Sequence, residues 1–150
     1  MTDKAEAPDQ RVRAEVFGWA MREGRPPTVA RLAPALGLEP VAVRDALARL
    51  ASARVLALQP ESGEILMAHP FSAVPTPLEV TLDRFVTYGN CIWDALGIPA
   101  ALQADTRIRT ACGCCGEAME VHVADRRVRG EGVVHFAVAA RRWWEDIVFT

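Results

Sequence analysis

A thiol and a carboxyl stand three positions apart in Cys91-Ile92-Trp93-Asp94. On a helix, positions i and i+3 share a face, so the two groups project to the same side. A thiolate is a soft ligand suited to soft metals, and a neighbouring carboxyl can carry a proton to a reacting atom. The spacing is common, and its competing reading is a core cysteine with an aspartate that caps a helix or pairs with an arginine. A second group, Cys112-Gly113-Cys114-Cys115-Gly116, sets C-x-x-C and a glycine between two expected strands. That is the shape of half a zinc knuckle. A tetrahedral structural zinc needs four ligands, and no second C-x-x-C exists. His122 and His135 are the residues that could complete the set, although a strand histidine is more often packed or at the surface. The clustered thiols could equally hold mercury or arsenic without zinc. Trp143-Trp144 reads as a core or domain contact.

The elements that must position these groups fit one compact domain or two very small ones. The chain has 150 residues, 51% of them hydrophobic and 24% charged, with a net charge of −2. That is enough apolar material for a core, and no basic field draws the protein to nucleic acid or anionic lipid. No apolar run approaches a membrane span. The polar start, Met1 to Gln10, reads as a frayed terminus and carries neither a signal nor a transit pattern. A cytoplasmic protein without membrane partners is therefore expected. In that setting its four cysteines read as metal-binding or reactive thiols, not as a disulfide framework.

Apolar spacing predicts a helix over 11–21. A second follows from an N-cap at Thr28 to Leu36, with Pro34 as a blemish inside it. Gly37 ends it, and a third helix runs over 41–53. Residues 55–58 and 65–68 read as strands around the turn Pro60-Glu61-Ser62-Gly63. Three helices and a hairpin is the winged helix-turn-helix order. Prolines at 70, 75 and 77 then mark a stiff connection. Beyond it, 80–87 is open between strand and helix, and 90–96 is helical, closed by Gly97 and Pro99. A short helix restarts at Pro99, and 107–111, 119–123 and 132–138 are strands. Residues 141–146 make a helical turn. The expectation is an α+β protein with a winged-helix-like unit in 1–68, a Pro-rich connection in 69–79, and a small mixed sheet and helix domain of catalytic type in 80–150.

The stretch His69-Pro70-Phe71-Ser72-Ala73-Val74-Pro75-Thr76-Pro77 resembles the interdomain segment of the organomercurial (alkylmercury) lyase family. Tyr88-Gly89-Asn90-Cys91-Ile92-Trp93-Asp94-Ala95-Leu96-Gly97-Ile98-Pro99 resembles that family's active-site helix. Val133-Val134-His135-Phe136 and Trp143-Trp144-Glu145-Asp146-Ile147-Val148-Phe149 fit as well. The resemblance covers nearly the whole chain. It implies protonolysis of a carbon–mercury bond, giving a hydrocarbon and Hg(II) with no cofactor. Cys91 would attack and hold the mercury, and Asp94 would move the proton to the leaving carbon. The partners implied are organomercurial small molecules and thiols, and the winged-helix half would be structural. The family's second catalytic cysteine lies beyond the part resembling Ile147 to Phe149. The chain stops at Thr150, so it is expected to be truncated ahead of that thiol, with one of Cys112, Cys114 or Cys115 as its substitute. The cluster could also be a metal clip, with a structural zinc as one occupant.

A thiol-based, metal-responsive regulator is the alternative, with the winged helix on DNA and the cysteine cluster as sensor. Arg44, Arg49 and Arg54, in and just after the third helix, could meet phosphates. The near-neutral charge and Asp45 on the exposed side argue against it, because a DNA reader usually carries a basic stripe. A degenerate family member with another small-molecule role is the third reading.

Overall fold

The computed structural model describes residues 8–148. Residues 1–7, which hold most of the polar start, lie outside the described residues, as do Phe149 and Thr150. Helices α1 (Pro8–Glu23), α2 (Val29–Leu36) and α3 (Pro40–Ser52) precede strands β1 (Ala57–Leu58) and β2 (Ile65–Ala68), in the expected order. Each helix turns its apolar stripe inward. Val12 and Val16 of α1, Leu32 of α2, and Val43 and Leu47 of α3 form a first core with Leu56 and Ile65. Thr28 occupies the N-cap position of α2 but makes no side-chain cap bond. The Glu64 carboxylate, from the hairpin, accepts the Val29 N–H instead, at 2.9 Å. Pro34 is accommodated because α2 is only eight residues long, and Gly37 closes it at φ 63°.

Phe71 and Ser72, inside the Pro-rich stretch, form β3 and pair antiparallel with β2. A second, fully antiparallel sheet has five strands, ordered 86–88, 79–81, 106–111, 118–124 and 127–129. Its strands are β4 (Glu79–Thr81), β5 (Val86–Tyr88), β6 (Thr106–Ala111), β7 (Ala118–Ala124) and β8 (Arg127–Arg129), and helix α4 (Ile92–Leu102) lies between β5 and β6. Phe71, Val80, Ile108 and Val123 meet Ala95 and Ile98 of α4 in a second core, which Ala20 of α1 also enters. The architecture is α+β. Among the described residues no helix is long and apolar enough to cross a membrane.

Three local expectations change. Residues 80–87 resolve into the β4–β5 hairpin, with Val80 and Thr87 buried side by side. Helix α4 does not stop at Gly97; it runs through Gly97 and Pro99 to Leu102. Packing overrides propensity here, because Ala95, Ile98 and Pro99 are all buried along one side. The strand expected over 132–138 is absent, since β8 takes the edge of the sheet after a tight turn at Asp125 and Arg126. Gly130 and Gly132, at φ 157° and 127°, then steer the chain off the sheet. A side chain at 132 would strain that backbone and its Cβ would lie 2.8 Å from Met119.

Candidate functional site

Strand β5 delivers the site through Gly89-Asn90-Cys91. The Gly89 N–H donates to the Leu78 carbonyl at 3.0 Å, and its carbonyl accepts the Thr76 hydroxyl at 2.6 Å. A Cβ at Gly89 would stand 2.6 Å from the Ala95 nitrogen. Only glycine lets the end of β5 lie this close to the first turn of α4. Cys91 is the extended N-cap of α4, with its carbonyl accepting the Ala95 N–H at 2.9 Å. Asp94 follows in the first turn, 7% exposed.

Its carboxyl is held from two sides. Asn90 Nδ2 donates to Oδ2 at 2.9 Å, and His69 Nδ1 lies 3.1 Å from the same oxygen. Cys91, Asp94, His69 and Asn90 face one cavity of about 120 Å³. Its roof is aromatic. The Phe136 ring lies 5.1 Å from that of Trp143 and 6.5 Å from that of Trp93. Trp143 Nε1 donates to the Val138 carbonyl at 2.8 Å, and Trp144 meets His69 edge-on at 5.9 Å. The tryptophan pair is thus part of the site's cover. Of the apolar residues expected as a strand over 132–138, Phe136 belongs to this cover.

Cys91 and Asp94 are brought together as the i, i+3 spacing requires. The cysteine cluster is elsewhere, on the β6–β7 turn. There the Cys112 N–H donates to the Glu117 carbonyl and the Gly116 N–H to the Cys112 carbonyl, both at 2.8 Å. Cys112 and Cys114 line a larger cavity of about 760 Å³. It shares Leu78, Ile92 and His135 with a third hollow, of about 360 Å³, that reaches Cys91. His122 turns to Glu120 at 2.7 Å. Among the described residues no three His, Cys, Asp or Glu side chains converge as a metal-holding group, so the four-ligand zinc set sketched with His122 and His135 is not assembled there.

The two kinds of thiol differ electrostatically. Burial pushes the Cys91 thiol up; the Asp94 N–H opposes this, the Asp94 charge adds to it, and the Trp93 N–H opposes it again, with a net rise. Cys112 is held below the ordinary thiol range by the N–H groups of Cys115 and Cys114 and by the Cys115 side chain. Thiolate is the reactive form, so limiting iodoacetamide near neutral pH should label Cys112 before Cys91. Labelling of Cys91 should rise at higher pH than that of Cys112. Peptide mass spectrometry across a pH series checks the order.

No local pattern marks His69 or Asn90. Asn90 lies four residues before Asp94 and so one helical turn away, a signal that exists only once the helix start is known. His69 is 25 residues distant from Asp94 and comes into place because β3 pairs with β2 and bridges Phe71 to Gly89.

The α+β fold thus sets a half-buried thiol and a buried carboxyl in one cavity under aromatic rings. The alkylmercury lyase (MerB) family model matches residues 71–150, and the chain belongs to that family. The mercury-bound form of MerB2 has the same fold, with a TM-score of 0.63 and 23% identity. The match covers 85% of this chain and 60% of that one, so this chain matches about three fifths of that structure's length. No curated protein matches in sequence.

Proposed function

We propose that the chain captures organomercurials on Cys91 and cleaves their carbon–mercury bond with a proton from Asp94. The observation that carries this reading is the shared cavity of Cys91 and Asp94 at the start of α4. The Cys91 thiolate displaces X⁻, the ligand opposite carbon on R–Hg–X, giving R–Hg–S, and the Asp94 carboxylate takes up a proton from solvent. The C–Hg bonding pair then takes the acid proton of Asp94. R–H leaves, Hg(II) stays on sulfur, and a second thiolate completes its linear coordination. The aromatic roof accommodates the apolar R group and keeps water from competing. Cys112, Cys114 and Cys115 are the proposed soft-metal ligands that receive or share Hg(II), because their cavity adjoins the hollow that reaches Cys91. Small thiols in solution serve the same end. No cofactor enters these steps.

In this reading residues 1–68 are a scaffold, 69–79 a connection that also brings His69 to the site cavity, and 80–150 the part that carries Cys91 and Asp94. Arg49 of α3 makes two bonds to Asp9, at 2.9 and 2.7 Å, and Arg44 donates to the Ser62 carbonyl at 3.0 Å. These contacts pair two of the cations considered for DNA with groups of the protein itself at its surface, and favour the scaffold over the regulator. The free thiols fit a reducing, cytoplasmic setting and a role in mercury resistance.

The test is to incubate the protein with phenylmercury and excess thiol and to follow benzene. Stoichiometric or catalytic release supports the lyase. Retained phenylmercury without benzene would reduce the function to binding, and no retention would remove it.

A further inference from the structure

The carboxyl of Asp94 is asymmetric in its surroundings. Both N–H donors that reach it, from Asn90 at 2.9 Å and His69 at 3.1 Å, address Oδ2. A proton on Oδ2 would point at donors, so the acid proton belongs on Oδ1. The state of the His69 ring follows from its burial. Its Nε2 is buried without a hydrogen-bond partner among the described residues. A proton there would be an N–H orphaned from any acceptor, which is costly, whereas a proton on Nδ1 reaches Asp94. The ring is fixed by more than this bond, since Trp144 packs edge-on against it at 5.9 Å and Pro70 lies beside Gly97 of α4.

We propose that His69 is the positioning residue of the proton transfer. It donates Nδ1–H to Oδ2 of Asp94, keeps the acid proton on Oδ1, and so aims that proton at the carbon of R–Hg–S on Cys91. In the step, the Oδ1–H and C–Hg bonds break and a C–H bond forms. Nothing is oxidised or reduced. The carboxylate left behind keeps its two N–H donors, so no partner has to move as charge develops. Mercury retains the Cys91 sulfur and gains a thiolate from the solution. Asn90 supports the same oxygen from within the site loop, but His69 comes from the turn between β2 and β3 and so links the acid to the first sheet. This inference rests on the lyase reading.

The experiment compares wild type with His69→Ala, His69→Asn and His69→Gln in a single turnover of phenylmercury under excess thiol. The amide nitrogen of asparagine stands near the place of Nδ1, and that of glutamine near Nε2. His69→Ala is expected to slow benzene release about 10- to 100-fold, the usual cost of losing an outer partner of a reacting group. Phenylmercury bound per chain should be unchanged. His69→Asn should recover most of the rate and His69→Gln little of it. Nitrogen-15 spectra of the wild-type ring should place the proton on Nδ1. An alanine variant as fast as wild type, equal losses in the alanine and asparagine variants, loss of phenylmercury binding in His69→Ala, or a proton on Nε2 would each overturn the role. Absence of benzene from the wild type is a separate outcome and overturns the lyase reading itself.

Discussion

Replacing Cys91 with serine is expected to lower hydrocarbon release on the order of 10³-fold or more, as losing a nucleophile does elsewhere. The reason is chemical, not structural. Oxygen is a harder donor than sulfur and holds Hg(II) poorly, while the two side chains have similar size. The position also favours the variant. Cys91 is the N-cap of α4 and makes no side-chain cap bond there, whereas serine is among the preferred N-cap residues. Thermal unfolding should therefore show a midpoint equal to or above that of wild type, which separates lost chemistry from lost fold. Mercury should still bind at the β6–β7 turn through Cys112, Cys114 and Cys115, so titration should show the loss of one tight site and not of all mercury. Release at the wild-type rate would move the nucleophile to that turn and leave Cys91 as a packed core thiol.

Much of this site follows from short-range pattern. Cys91 and Asp94 are joined by helical periodicity, and a helix beginning between Asn90 and Ile92 makes them neighbours whatever surrounds it. The three front helices were equally legible, because Val43, Leu47 and Leu50 repeat at the helical period and Gly37 stops the chain where a left-handed residue is needed. What escaped is long-range. Pro99 argues locally for a helix end, yet the apolar side of α4 is buried against β3 and β4, and that burial outweighs one lost backbone bond. The apolar run around Val133 looks like a strand, but β8 already holds the sheet edge and the glycines at 130 and 132 turn the run away. It becomes part of the wall over the cavities. His69 is the clearest instance. Its role depends on sheet pairing by its neighbour Phe71 and on the bridge to Gly89, which no spacing around His69 encodes.

Replacing Asp94 with asparagine should separate capture from cleavage. Asparagine keeps the shape of the carboxyl and an oxygen that His69 and Asn90 can address, but it has no proton acidic enough to give to carbon. Benzene release should fall by about 10²- to 10⁴-fold, the range expected for a positioned general acid, while phenylmercury still binds with unchanged stoichiometry. The charge change acts on the thiol as well. Burial is the main cause that holds the Cys91 thiol above its ordinary range, and the negative charge of Asp94 adds to it. Removing that charge brings the thiol part of the way down, so at a given pH more of it is thiolate. Capture of phenylmercury, or alkylation by iodoacetamide, should therefore be at least as fast in Asp94→Asn as in wild type while cleavage is slow. The opposed signs matter, because general damage to the site would slow both steps together. If both slow in parallel, Asp94 is a structural partner of α4 and the acid must be sought elsewhere. If only cleavage slows and Cys91 labels faster, the carboxyl is the proton donor and its resting charge adds to the burial that raises the thiol.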